Sequence, residues 1–320
     1  MMSLYQNTKY QIMSCSLCPR HCQTDRLNSL GFCGAPLSPH IAAVCRHRGE
    51  EPPISGQNGI CNIFFAHCNL QCVYCQNYEI SRPKVDPAAV RFSSVEELAR
   101  QVADLLPSCD NMLGLVSPSH YAHLVPQLIE TIREMGIRPT VVYNTNAYDD
   151  VQTLRMLEPY IDIYLPDFKY MSSDLAALLS NAPDYPQKAS LALKEMFRQK
   201  GSALLTDDKG LAFSGIIVRH LVLPGFVDNS LRCLDWLADN LSLKLHISLM
   251  SQYFPPKELL EMDGAKEHLP QQLFRSLSLE EYQPVTEHLH ELGFYNGWTQ
   301  DFSSSQNYRP DFSSDAPFSD

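Results

Sequence analysis

The chain has no apolar run approaching the length of a membrane span, and its opening, MMSLYQNTKYQIMSC, contains no apolar stretch of the signal-peptide kind. A cytoplasmic location and no membrane partner are therefore expected. Basic residues are also in short supply. The 25 Lys and Arg stand against 36 Asp and Glu, a net charge of −11, which is opposite to the footprint of a nucleic-acid-binding protein. No nucleic-acid partner is expected. No segment repeats at a fixed period, which argues against a solenoid or propeller.

Cysteine, by contrast, is plentiful. Eleven cysteines in a chain read as cytoplasmic are more readily metal ligands than disulfides, because reducing conditions keep thiols free. Seven of them fall into two groups. The first is CSLCPRHC followed by GFCG, which places Cys15, Cys18, Cys22 and Cys33 within nineteen residues. Four thiolates close a zinc shell or hold an iron–sulfur cluster, and the spacing does not choose between them; free thiols are the competing reading, and His21 is either a substitute ligand or a solvated side chain. A site closed by four protein ligands has no open position, so structure or electron relay is its expected role.

The second group is CNLQCVYC, with Cys68, Cys72 and Cys75 at CxxxCxxC spacing directly after the apolar run Asn62 to Ala66. Three thiolates on one loop leave one iron of a [4Fe-4S] cube without a protein ligand. Zinc completed by His67 or a distant cysteine, and plain buried thiols, are the competing readings.

Beyond the loop, strand-like and helix-like stretches alternate. Strands are expected at Met112 to Val116, Thr140 to Tyr143, Ile161 to Leu165, Ile216 to Leu223 and Leu245 to Met250, in addition to Asn62 to Ala66. Helices are expected at Val95 to Leu106, capped by Ser93 or Ser94, and at His120 to Met135, Val151 to Leu157, Gln187 to Gln199 and Leu231 to Leu241. This order predicts an α/β fold, a partial (β/α)6 TIM-type barrel with a parallel sheet. Functional groups then gather at the C-terminal strand ends. That rule selects Ser117, Ser119 and His120; Asn144, Thr145 and Asn146; Asp167 and Lys169, two residues apart and on one side of an extended chain; and Arg219 and His220.

The CxxxCx(aromatic)C loop, with Tyr74 as the aromatic, resembles the signature of the radical S-adenosylmethionine (SAM) enzymes. NTNAY, YLPDFKY and VRHLVLPG are similar, in sequence and order, to strands of the pyruvate formate-lyase activating enzyme-like group. The likeness is strongest to a branch that carries an N-terminal CxxCPxxC segment, EEPPISG, CQNYEIS and SLMSQY. The resemblance implies a [4Fe-4S] cluster on Cys68, Cys72 and Cys75 whose open iron chelates SAM, cleavage of SAM to methionine and a 5′-deoxyadenosyl radical, and hydrogen abstraction from a substrate. It also implies SAM contacts by Asp167, Lys169 and Arg219, a protein or peptide substrate as in glycyl-radical enzyme activation, and a low-potential ferredoxin or flavodoxin as electron donor. SPSH replaces the acidic turn of the activating enzymes, so Ser117, Ser119 or backbone carbonyls are expected to meet the SAM ammonium. Asn144 stands where those enzymes commonly carry a cation-binding aspartate. The runner-up reading is a non-catalytic iron–sulfur or zinc protein with an electron-transfer or ligand-binding role.

The remaining expectations concern organisation. Residues 1–50 form a Cys-rich extension, 51–255 the barrel, 256–300 a helical closure around Leu279 to Leu292, and 301–320 a polar, flexible tail. Cys45, His47, Glu50 and Glu51 lie in a stretch, residues 45–60, that reads as a solvated loop, with Cys45, His47 and Glu50 or Glu51 reaching the active site as the alternative reading. Cys61 is expected to be packed and inert, and Tyr295 and Trp298 to be packing aromatics.

Overall fold

The computed structural model describes residues 14–86, 88, 90–91, 94–302, 310–312 and 317–318. Its centre is a sheet with strands β1 (Ile41–His47), β2 (Ile60–Phe65), β3 (Met112–Val116), β4 (Thr140–Thr145), β5 (Ile163–Pro166), β6 (Leu205–Thr206), β7 (Ala212–Leu221), β8 (His246–Met250) and β9 (Gly297–Thr299). The order is β1-β2-β3-β4-β5-β7-β8-β9, with β6 attached to β7. From β2 through β8 along this path every pairing is parallel, and these six strands are the partial barrel expected from the alternation. The sheet does not close: antiparallel β1 guards one edge and short β9 the other.

Helices cover the outside. They are α1 (Val95–Leu105), α2 (Val125–Glu134), α3 (Val151–Leu157), α4 (Ser173–Ser180), α5 (Tyr185–Lys200), α6 (Val227–Asn240) and α7 (Leu279–Glu291), with shorter turns between them. Because crossovers put helices on one face while the strands pack inward on the other, β2 and β3 are buried throughout and read as unbroken apolar runs. Capping sets several helix starts. Ser94 accepts from the Glu97 amide, Asp150 from Gln152 and Thr153, and Ser172 from Leu175; Ser278 and Glu281 make a capping box for α7. Ser93, the alternative cap for α1, lies outside the described residues.

Several boundaries differ from the sequence expectation. Residues 45–47 belong to β1, because an IAAVCRH edge strand finds its hydrogen bonds on β2 rather than in water. The stretch His120 to Met135 is not one helix: Ser119–Leu124 is a 3₁₀ turn, and Pro126 opens α2. Helix α4 has no counterpart in the expectation. Residues 256–300 contribute α7 and also the strand β9.

Gly114 shows how the interior is arranged. A Cβ there would lie 1.8 Å from Asn62 Oδ1, so only glycine on β3 leaves space for the Asn62 amide of the neighbouring strand. That amide donates to Glu50 Oε1 at 3.1 Å. A backbone requirement on one strand thereby brings a carboxylate into the barrel.

Most of residues 303–320 and residues 1–13 lie outside the described set, so the tail expectation bears only on what remains. Phe312 is buried against Phe64, and Phe318 contacts Phe64 and His47. Phe302 packs near Tyr282. Cys61 is fully buried as expected. Trp298 packs against His246, but Tyr295 does not pack: it is 81% exposed, because the turn before β9 carries it away from the core.

Candidate functional site

A cavity of about 260 Å³ opens at the C-terminal strand ends. Cys68, Cys72 and Cys75 form part of its wall, and Asp167, Lys169, Arg219 and Asn144 form another part. The loop bearing the cysteines follows β2 directly, and Asn144 and Asp167 follow from β4 and β5. Each strand end therefore delivers its polar residue to one space.

All three cysteines are free thiols with hydrogen-bonding neighbours at sulfur. The Leu70 amide and the Asn146 side-chain amide donate to Cys68 Sγ at 3.4 and 3.5 Å. Ser180 Oγ donates to Cys72 Sγ at 3.1 Å, and Cys75 Sγ shares a hydrogen bond with Ser81 Oγ at 3.2 Å. Donors aimed at sulfur suit thiolate ligands of iron. Burial, with the neighbouring Cys72 adding to it, pushes the Cys75 thiol up to about 12. A cation is what would hold such a group deprotonated. Among the described residues, no three His, Cys, Asp or Glu side chains close into a ligand cage.

His67, the residue that would complete a zinc shell, is committed elsewhere. Its Nδ1 lies 3.1 Å from the Arg82 carbonyl and its Nε2 3.0 Å from His40 Nδ1. It is also absent from the cavity wall. The donor set thus fits a group held by three thiolates, with space beyond them.

Opposite the sulfurs lies a charge network. Arg219 Nε donates to Asp167 Oδ1 at 2.7 Å, its NH2 to Asn144 Oδ1 at 2.7 Å, and its NH1 to Glu50 Oε2 at 3.2 Å. Lys169 Nζ donates to Asp167 Oδ2 at 2.8 Å. Burial alone would raise the Asp167 carboxyl, but the two cations and their hydrogen bonds outweigh it and hold the group below the ordinary carboxylate range. Burial likewise opposes the Lys169 charge, and Asp167 and Cys72 together more than restore it. N–H groups on both Arg219 terminal nitrogens and on Lys169 Nζ remain for a ligand.

Glu50 and Glu51 are the main correction to the sequence reading. The stretch that reads as solvated folds inward, and both carboxylates line the cavity. Glu51 is 8% exposed, and its Oε2 has no hydrogen-bond partner among the described residues. Burial raises its pKa, and the Arg219 charge only partly opposes this. His47 lies on the cavity wall as well, whereas Cys45 points into a small apolar cluster with Phe64 and Phe312.

The other expected residues divide. Ser117, in the left-handed region at φ 55°, lines the cavity, as do Thr145 and Asn146. Ser119 is outside the lining, its hydroxyl 3.3 Å from Thr145 Oγ1. His120 sits beside the N-terminal cysteines instead, and His220 is a buried brace between the Phe168 carbonyl and Ser230. Tyr74 contributes its ring to the wall while its hydroxyl turns away to Tyr170 at 2.6 Å. Tyr170 in turn meets Ser180 at 2.8 Å, so a buried chain of hydroxyls ends on Cys72 Sγ. Ser180 terminates α4, the helix without a sequence counterpart, and no motif marks it.

No protein-family model matches the chain. "Uncharacterized protein MJ0674" of Methanocaldococcus jannaschii is 25% identical over 273 residues, covering 84% of this chain and 74% of the relative. Among solved structures, Streptococcus suis SuiB bound to S-adenosylmethionine is similar with a TM-score of 0.48 and 14% identity, covering 75% of this chain. The chain spans only 50% of that SuiB chain. Methylornithine synthase (PylB) gives a TM-score of 0.45 at 16% identity, over 75% of this chain and 63% of the other. A domain of pyruvate-formate lyase-activating enzyme from Bacteroides vulgatus gives 0.34 at 12%, over 66% and 96%.

Proposed function

We propose that the chain is a radical SAM enzyme that abstracts hydrogen from a protein or peptide, in the manner of glycyl-radical enzyme activation. The observation that carries this reading is the meeting, across one cavity of about 260 Å³, of three loop cysteines and the Asp167–Lys169–Arg219 network. Bound here, a [4Fe-4S] cluster would supply the electron that splits SAM into methionine and a 5′-deoxyadenosyl radical, which takes hydrogen from the substrate.

The chain's own residues hold and orient. Cys68, Cys72 and Cys75 would hold the cluster, three thiolates for four irons. Lys169 and Arg219 present N–H donors to the SAM carboxylate, and Asp167 fixes both cations in place. Ser117, Asn144 and the Glu50–Glu51 pair supply acceptors for the ammonium, in place of an acidic turn. Ser119 supports this wall through Thr145, and Tyr74 closes the side nearest the cluster. No side chain is assigned the hydrogen abstraction itself. A low-potential ferredoxin or flavodoxin is the electron donor that this chemistry requires. The choice of a polypeptide substrate rests on the resemblance of NTNAY, YLPDFKY and VRHLVLPG to the activating-enzyme group.

The test is anaerobic reconstitution with iron and sulfide, followed by dithionite, SAM and an assay for 5′-deoxyadenosine. The reading expects product from the parent chain and none from Cys72→Ala. A fully loaded cluster that binds SAM and gives no product, with or without a candidate polypeptide, would overturn it.

A further inference from the structure

Away from the large cavity, Cys15, Cys18, Cys22 and Cys33 surround a second, much smaller one of about 10 Å³. The hairpin that carries them is fixed by backbone hydrogen bonds from Cys15 N to the Thr24 carbonyl and from Gln23 N to the Cys15 carbonyl, both 3.0 Å. The Phe32 amide donates to Cys22 Sγ and the Ala35 amide to Cys33 Sγ, each at 3.4 Å. His21 stays outside, at 3.2 Å from Asp150 Oδ2.

Two guanidiniums form part of the wall. Arg26 is 4% exposed, yet among the described residues it donates only to the main-chain carbonyls of His120, at 2.6 Å, and Pro36, at 2.5 Å. Arg20 donates to the carbonyls of Asn69, Ser180 and Asn181 and stacks on Phe32. Neither has a carboxylate partner among the described residues. A buried cation calls for an anion, and the groups on hand are the four sulfurs. His120, on the same wall, turns its Nε2 to the Ala66 carbonyl at 2.7 Å, and its buried Nδ1 has no hydrogen-bond partner among the described residues.

We infer that these four cysteines bind one zinc-type divalent ion as a tetrathiolate, and not an iron–sulfur cube. Charge alone does not choose: four thiolates around a divalent ion leave a surplus negative charge of about two, which Arg20 and Arg26 offset, and a cube has the same surplus. Size chooses. The four sulfurs do not close into a ligand cage as they stand, but the cavity between them is about that of a single water-sized sphere, enough for one ion once the sulfurs turn to it and far short of four irons with their sulfides. The ion would also act at a distance. Arg20 grips the Asn69 carbonyl, and Gln71 Nε2 donates to the Phe32 carbonyl at 2.7 Å, so the hairpin it closes is fastened directly to the loop of Cys68, Cys72 and Cys75.

The test uses Cys68→Ala/Cys72→Ala/Cys75→Ala in the full chain, so its outcome does not depend on whether the parent cleaves SAM. About one zinc per chain without acid-labile sulfide, and a zinc absorption edge fitted by sulfur alone at about 2.3 Å, are expected. Adding Cys18→Ser should abolish zinc. If that variant fails to fold, cobalt substituted into the triple variant reads the site instead: intense tetrahedral and thiolate-to-cobalt bands support the inference, and six-coordinate spectra oppose it. Iron with stoichiometric sulfide in the triple variant, or no metal uptake from zinc-containing buffer, would overturn it.

Discussion

Asp167 Oδ1 and Arg219 Nε lie 2.7 Å apart, and this contact joins the ends of β5 and β7 at the floor of the large cavity. Lys169 completes the carboxylate on its other oxygen. Asp167 therefore sets the direction of both cations that face the cysteines. Asp167→Asn should weaken SAM binding by about tenfold or more, as the loss of one charge-assisted hydrogen bond implies. Calorimetric titration of the reconstituted protein measures it. Unchanged affinity would make the network a purely structural one.

Asp167 also predicts an acid limb of stability. Its folded pKa is depressed, so its contribution is complete above the unfolded value of about 3.9 and is lost as pH falls towards the folded one. Denaturant melts between pH 2 and 6 should show a shallower acid slope for Asp167→Asn than for the parent.

Glu51 carries the opposite sign. Burial raises its pKa, so the folded state holds a proton that the unfolded state has released above about pH 4.3. Glu51→Gln should gain thermal stability over the parent as pH rises from that value, and the gap should level once Glu51 itself ionises in the fold. A gap that shrinks with pH would show the carboxylate to be paired.

Ser180→Ala removes the hydroxyl that donates to Cys72 Sγ. A thiolate with one hydrogen bond fewer stabilises the reduced cluster less, so the midpoint potential should move to a more negative value. Spectroscopic redox titration reads this directly. Tyr170→Phe, one hydroxyl further out, should shift it in the same direction by a smaller amount.

Gly114→Ala tests the interior arrangement. The added methyl occupies the position of Asn62 Oδ1 and must displace the amide that holds Glu50. A loss of about 1–3 kcal/mol is expected from overpacking, measurable by urea unfolding.

How much of this was legible in the sequence depended on how local the determinant was. Met112–Val116 and Val151–Leu157 match residue for residue, because an unbroken apolar run and an Asp-capped amphipathic turn are complete signals in themselves. Cys68, Cys72, Cys75, Asp167, Lys169 and Arg219, expected from loop spacing, strand-end position and resemblance, do line one cavity. For Glu50 and Glu51 the solvated loop was preferred over a place at the site, since an acidic, Pro-rich loop looks solvated until Asn62, Arg219 and Asn144 reach it from three separate strands. β9 is three residues long, too short to show a period. The tie between Arg20 and the Asn69 carbonyl, 49 residues away, has no sequence signature at all.

The most direct test of the central claim is the electron paramagnetic resonance spectrum of the reduced, reconstituted protein with and without SAM. The proposed cluster, with one iron left free by the three cysteines, predicts a signal that changes on SAM addition and is absent from Cys72→Ala. A full cluster whose signal is unmoved by saturating SAM would contradict it, and the three cysteines would then hold a cofactor without a radical function.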